Sequence, residues 1–444
     1  MVVNATGLGG ESPEKVQARV RQQLQECAER LGGEVSTRQR AATLAQTYLS
    51  LDDEGRHAFL RMIALEFGPD PERIAEAHQA YQAAVGSDAQ WDAEAQLRAA
   101  MRSSRIRILT QFNAIPQGVK FLVDLRADLL RFLRDDRDLQ ALDRELEARL
   151  TAWFDVGFLE LSRLTWNSPA ALLEKIVEYE AVHEIASWKD LKNRLDSDRR
   201  CYAFFHPRMP MEPLIFVEVA LLEDLADNVQ KLLDESAPVF DTRKATTAIF
   251  YSISNTQAGL RGVSFGNFLL KRVVDDLKRD FPRLKTFATL SPIPGLRRWA
   301  TRNRERFLNT LTSGDWRRLA ETGIDGPQSA EMDALLSGET AWKDDAARAK
   351  LLREPLMRIA ADYLFNEKHD DKPVDAVARF HLGNGARIER INWLADTSDK
   401  GMAQSWGLMV NYLYDPDRIE DNVEAFARSG AIDAASAVRR LAER

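Results

Sequence analysis

Two short stretches carry residue types suited to chemistry. In TFATLSPIPGLRRW, positions 286–299, Ser291 closes an alternating apolar run and is fenced by Pro292 and Pro294 before Gly295. Each proline fixes φ and removes a backbone donor, so the chain leaves any strand at Ser291 as a stiff, extended loop. Stiff loops at strand ends are where scaffolds hold reactive side chains, although an ordinary strand-ending turn has the same form. The second stretch, QAGLRGVSFGNFLLKRV, sets Gly259, Gly262 and Gly266 ahead of an amphipathic helical pattern. Glycines let backbone amides approach a ligand closely, and the helix start offers an anion such as a pyrophosphate free amides and a positive dipole end. The Gly-Lys-Ser/Thr ending of a P-loop is absent and Gly-x-Gly-x-x-Gly is not met, so nucleoside triphosphate and dinucleotide readings fall.

The elements around these stretches change character along the chain. Residues 12–163 read as one helix after another, with apolar positions at helical spacing over 12–33, 37–66, 71–86, 88–102, 115–134 and 137–163. Aspartate–proline and glycine breaks such as FGPDPER and VGSDAQ separate them. One more helix starts at Ser168 and Pro169, and strand-like runs then follow at 201–207, 214–221, 244–256 and 284–290. The glycine stretch and its helix lie between the last two, which makes a βαβ unit. A helical insertion over about 296–368 and a late strand in GLMVNYLY complete the expectation. The fold class expected is α+β, with an all-helical domain over 1–163 and a mixed α/β domain over 164–444.

At 444 residues the chain exceeds one typical core, which supports two domains. A net charge of −7 argues against a dedicated nucleic-acid binder. Two cysteines far apart, Cys27 and Cys201, form neither a disulfide framework nor a zinc site and suit a reducing compartment. The opening MVVNATGLGGESPEKV has no basic region followed by an apolar one, and PLIFVEVALL at 213–222 is too short to cross a bilayer. A cytoplasmic protein without membrane contact is therefore expected. His57 and His78 have no partner at metal spacing and read as structural or surface residues, His206 before Pro207 reads as a structural cap, and His183 and His369 as incidental.

The segment RGVSFG at 261–266 resembles the acyl-coenzyme-A pyrophosphate turn of the Gcn5-related acetyltransferase fold, with Ser264 where the middle glycine is expected. FFHPRMPMEPLIFVEVAL (204–221), SISNTQAGLRGVSFGNFLLKRVV (252–274), FATLSPIPG (287–295), ARFHLGNGARIERINWLAD (378–396) and SWGLMVNYLY (405–414) together resemble malonyl-CoA decarboxylases. That resemblance implies a helical N-terminal domain used in assembling tetramers and a catalytic domain of acetyltransferase fold. It implies catalytic roles for Ser291, in the Ser-Pro-Ile-Pro-Gly loop, and for His381, before Leu-x-Asn-Gly. Asn255, Gln257, Gly259, Arg261, Gly262, Ser264, Gly266 and Tyr412 become candidates to bind the acyl group and coenzyme A, although Asn255 and Gln257 equally suit an ordinary turn.

The reaction so implied is loss of CO₂ from malonyl-CoA, leaving a thioester enolate to be protonated at C2. No metal, biotin or electron-sink cofactor is expected, because the thioester carbonyl accepts the charge. The site must stabilise an oxyanion and deliver a proton. Two other functions fit the same features: a coenzyme-A-dependent acyltransferase, and a non-catalytic regulator that binds malonyl-CoA. The partners expected are malonyl-CoA and further copies of the chain, in a homotetramer built through residues 12–163.

Overall fold

The protein is described by a computed structural model covering residues 13–29, 33–263, 268–338 and 341–443. It divides into two compact units. The first comprises Met1–Glu160 with two returns of the chain, Phe205–Leu214 and Thr256–Phe265; the second comprises Leu161–Phe204, Ile215–Asn255 and Gly266–Arg444.

The first unit is built on helices α1 (Pro13–Glu29), α2 (Glu34–Ser50), α3 (Asp53–Glu66), α4 (Pro71–Ala84), α5 (Gln90–Ala100), α6 (Arg105–Ala114), α7 (Gly118–Phe132) and α8 (Gln140–Trp153). The single helix expected over 37–66 is two. Asp52 caps α3 by accepting from the Gly55 amide at 2.8 Å, and that cap stops α2 at Ser50. Asp70 with Pro71 starts α4 as the FGPDPER break predicts. The helix expected to reach 163 stops at Trp153, since Asp155 and Gly157 turn the chain into a strand at Glu160.

One buried side chain organises this unit. Arg126 on α7 is 1% exposed and donates Nε to Asp143 Oδ1 at 2.9 Å and Nη1 to the Gly259 and Arg261 carbonyls at 3.0 and 2.7 Å. A β-carbon at Gly259 would lie 1.8 Å from the Val123 carbonyl oxygen, so the turn packs backbone to backbone on α7. Glycine is required there for fit.

The second unit is an eight-stranded sheet with helices around it. Its strands are β1 (Glu160–Leu164), β2 (Arg199–Phe205), β3 (Pro213–Leu222), β4 (Thr247–Asn255), β5 (Thr286–Thr289), β6 (Ser291–Pro292), β9 (Arg387–Asn392) and β10 (Met409–Leu413); β7 (Lys368–His369) and β8 (Lys372–Pro373) form a separate hairpin. The order is β1-β2-β3-β4-β5-β10-β6, with β9 on the other edge of β10. β4 and β5 are parallel and joined through the helix Phe268–Asp280, the βαβ unit expected from the sequence. β10 runs antiparallel to both β5 and β6 in one register, Leu413 opposite Ala288, Val410 opposite Ser291 and Met409 opposite Pro292. The Ser-Pro segment therefore continues β5 beyond Leu290.

Alternation then fixes which side chains share a face. Ala288, Leu290, Met409 and Leu413 pack into a hydrophobic cluster with Ile249 and Ala220. Thr289, Ser291, Tyr412 and Tyr414 belong to the other parity. Helices between Leu296 and Asn366 form the annex expected after the Ser-Pro loop.

Candidate active site

Ser291 and His381, 90 residues apart, are in contact: Ser291 Oγ lies 3.0 Å from His381 Nε2 and donates to Thr289 Oγ1 at 2.8 Å. The serine is placed by its strand register and by the prolines that follow. His381 comes from the helix Ala376–Gly383, which Asp375 caps by accepting from the Val377 and Ala378 amides at 3.1 and 2.9 Å. That helix buries Ala378, His381 and Leu382, the i, i+3, i+4 face that rests on the sheet.

Two tyrosines complete the cluster. His381 Nδ1 lies 2.8 Å from the Tyr414 hydroxyl, and the imidazole stacks on Tyr412 with ring centroids 4.6 Å apart and planes at 24°. With the single Ser291 proton directed at Thr289, the imidazole proton sits on Nε2 and donates to Ser291 Oγ, and Tyr414 donates to Nδ1. The donors thus run in one direction, Tyr414 to His381 to Ser291 to Thr289. Thr289 Oγ1 also accepts from the Tyr412 amide at 3.2 Å, which locks the two strands together at this point.

His381 is 3% exposed, and burial lowers its pKa to about 3, so the imidazole is neutral at working pH. Burial likewise pushes the Tyr412 and Tyr414 hydroxyls well above their ordinary range. The groups touching Ser291 and His381 are thus uncharged hydrogen-bonding and aromatic side chains. This has a consequence for pH. Folded His381 binds its proton more weakly than the unfolded chain, whose histidines titrate near 6.5. Its contribution to stability is fully present above about 6.5 and is lost as pH falls towards 3. The slope of unfolding free energy against pH should accordingly be shallower in His381→Asn than in the parent over that window, as read by urea titrations; equal slopes would contradict a buried neutral imidazole.

The other candidates lie as follows. Tyr412 joins Ser291 and His381 in the second unit. Gln257, Gly259, Arg261 and Gly262 belong to the first unit. There Gln257 is buried and donates Nε2 to the Pro213 carbonyl at 2.9 Å, while Arg261 and Gly262 are exposed, the glycine at φ +88°. Asn255 is the exposed last residue of β4. Ser264 and Gly266 lie outside the described residues. His206 caps its own turn by accepting from the Arg208 amide at Nδ1, 3.1 Å. The sequence reading missed Tyr414 and Thr289. Each stands two residues along the chain from a residue that was found, so a period-two search from Tyr412 and Ser291 finds both.

The fold and cluster define a class: a helical region followed by a mixed α/β domain in which a strand-borne serine, a helix-borne histidine and a tyrosine form one buried proton line. The family model for the malonyl-CoA decarboxylase C-terminal domain matches residues 157–444, and that for the malonyl-CoA decarboxylase N-terminal domain matches 67–154. The mitochondrial malonyl-CoA decarboxylase of Anser anser anser is 38% identical over 416 residues, 90% of this chain and 82% of the relative. The crystal structure of malonyl-CoA decarboxylase from Rhodopseudomonas palustris superposes with a TM-score of 0.84 at 42% identity, covering 96% of this chain and 99% of that one. The Agrobacterium vitis structure of the same description gives 0.83 at 41%, covering 96% and 100%. The chain belongs to the malonyl-CoA decarboxylase family.

Proposed function

We infer that the protein decarboxylates malonyl-CoA to acetyl-CoA and CO₂, leaving the thioester intact. Family membership supports the reaction, and the contact of Ser291 Oγ with His381 Nε2 is the single observation that carries the assignment of the site. On substrate binding the Ser291 hydroxyl turns its single proton from Thr289 to the malonyl carboxylate and holds it until CO₂ leaves. As the C–C bond breaks, its electron pair passes into the thioester and the charge moves to the carbonyl oxygen. Neutral donors in a buried site are strong hydrogen bonders for that developing oxyanion. The enolate takes its proton at C2 from Ser291 Oγ, the His381 Nε2 proton passes to the serine and the Tyr414 proton to Nδ1, and solvent restores the tyrosine, so one solvent proton is consumed per CO₂ released. Given malonyl-CoA, the protein should form acetyl-CoA and CO₂ one for one. Free coenzyme A, released in the presence of amines, would instead indicate an acyltransferase.

Coenzyme A is assigned to the exposed part of the glycine turn, Arg261 and Gly262, with Asn255, Gln257, Gly259, Ser264, Gly266 and Tyr412 as further binding residues. Support comes from Arg126, which fixes two carbonyls of this turn and so preorganises its amides. An acetyltransferase-like sheet is the matching reading of the second unit. The β4–β5 ladder ends at Phe250 and Thr289, while β4 runs on to Asn255.

A homotetramer assembled through the helical region is proposed as well. Helix α4 buries no residue, α5 buries only Ala93, and Trp91 is 75% exposed, which leaves amphipathic surface for another copy. Light scattering at micromolar protein should give a multiple of 50.3 kDa; the mass of one chain would contradict assembly. No described helix is long and apolar enough to cross a membrane. Cytoplasmic residence is the proposed location; two buried free thiols, Cys27 and Cys201, fit a reducing compartment.

A further inference from the structure

The helical annex of the second unit contains a cavity of about 270 Å³ that includes neither Ser291 nor His381. Its walls are apolar over most of their extent: Ile324, Ala334, Leu335, Trp342 and Leu352. Arg348, Thr322 and the exposed Glu331 also line it. Arg348 is half-buried and donates Nη2 to the Thr322 carbonyl at 2.7 Å, which aims the guanidinium, and it makes no ion pair among the described residues. A preorganised, unpaired guanidinium beside an apolar chamber is the arrangement that captures a carboxylate on a hydrophobic body. Glu331 opposes a second negative charge, which disfavours phosphates and dicarboxylates. The volume equals about nine liquid waters, enough for a medium-length acyl chain and too small for a coenzyme.

We propose that this cavity is a second ligand site, for a small amphipathic monocarboxylate whose tail fills the space between Ile324, Leu335, Trp342 and Leu352 and whose head group pairs with Arg348. The cavity also touches the segment that joins β9 to β10, the strand that pairs with Ser291. The Trp342 indole stacks on Trp393, directly after β9, with centroids 5.7 Å apart and planes at 28°. The Leu335 carbonyl accepts from Trp406 Nε1 at 3.0 Å. Trp406 stands in the left-handed region at φ 54°, three residues before β10 begins.

The test uses the full chain and sodium octanoate, with binding read by isothermal titration calorimetry. Saturable binding at one equivalent per chain is expected. Arg348→Met should weaken it about tenfold or more, since a charge-assisted hydrogen bond is lost. Octan-1-ol, which keeps the tail and loses the charge, should bind weaker by a similar factor. Ala334→Phe, which fills the chamber while leaving the guanidinium in place, should abolish binding and leave malonyl-CoA turnover unchanged. Thermal unfolding of each variant checks that it is folded. Octanoate binding equally to the parent, Arg348→Met and Ala334→Phe would overturn the proposal, as would the absence of saturable binding to the parent. Because octanoate binding is measured directly, the outcome is independent of whether Ser291 and His381 are the decarboxylating pair.

Discussion

Ser291→Ala and His381→Asn should each lower kcat for malonyl-CoA by on the order of a hundredfold or more, with substrate still bound. The reason is the single hydrogen-bonded line. Removing the hydroxyl leaves Nε2–H without the group it orients, and removing the imidazole cuts Ser291 off from Tyr414. Groups that act as one unit lose their joint effect once, so the double variant should be scarcely worse than the worse single variant. Losses that multiply would show two independent roles. Turnover of His381→Asn within a fewfold of the parent would remove His381 from the chemistry.

Arg194→Met should be the most destabilising single change outside the site. Arg194 is 1% exposed and donates Nε to Asp190 Oδ1 at 2.8 Å, Nη1 to Glu218 Oε2 at 3.1 Å and to the His183 carbonyl at 2.9 Å, and Nη2 to the Glu184 carbonyl at 2.9 Å. Glu218 is 0% exposed within β3, opposite Ser252 of β4. Burial pushes the Glu218 carboxyl up to about 8, and Arg194 opposes that shift. Without the guanidinium, an unpaired carboxyl remains in the middle of the sheet, at a cost of roughly 3–5 kcal/mol. Replacing both Arg194 and Glu218 by methionine should cost less than the sum of the single changes, because the buried Glu218 carboxyl that the guanidinium held is gone with it. Urea unfolding of the four proteins measures this. A loss of under about 1 kcal/mol for Arg194→Met, the scale of an ordinary surface change, would refute the account of the network.

The order of elements and the position of Ser291 were legible because both rest on local signals. Prolines at 292 and 294 mark the loop whatever lies around them, and the period change after residue 164 marks the sheet. His381 had no local signal beyond its place before Leu-x-Asn-Gly, and only the family resemblance picked it out. Tyr414 and Thr289 were hidden because a tyrosine or threonine in an apolar strand looks like packing until its neighbour across the sheet is known. β9 escaped for a different reason. A bulge at Glu389, where the register against Asn411 and Tyr412 shifts, sets the buried Ile388 and Ile391 three residues apart and breaks the two-residue alternation. The grip of Arg126 on the glycine turn spans 133 residues, a distance no local pattern reports. It also gives Gly259 a role in close packing on α7 beside the ligand contact that the sequence offers.

The most direct test of the central claim is the fate of malonyl-CoA in D₂O, followed by NMR for the parent and for His381→Asn. The account predicts acetyl-CoA carrying one solvent deuterium at C2, formed one for one with CO₂ and without free coenzyme A, at a rate that collapses in the variant. Free coenzyme A and malonate as products, or an unchanged rate in His381→Asn, would contradict it.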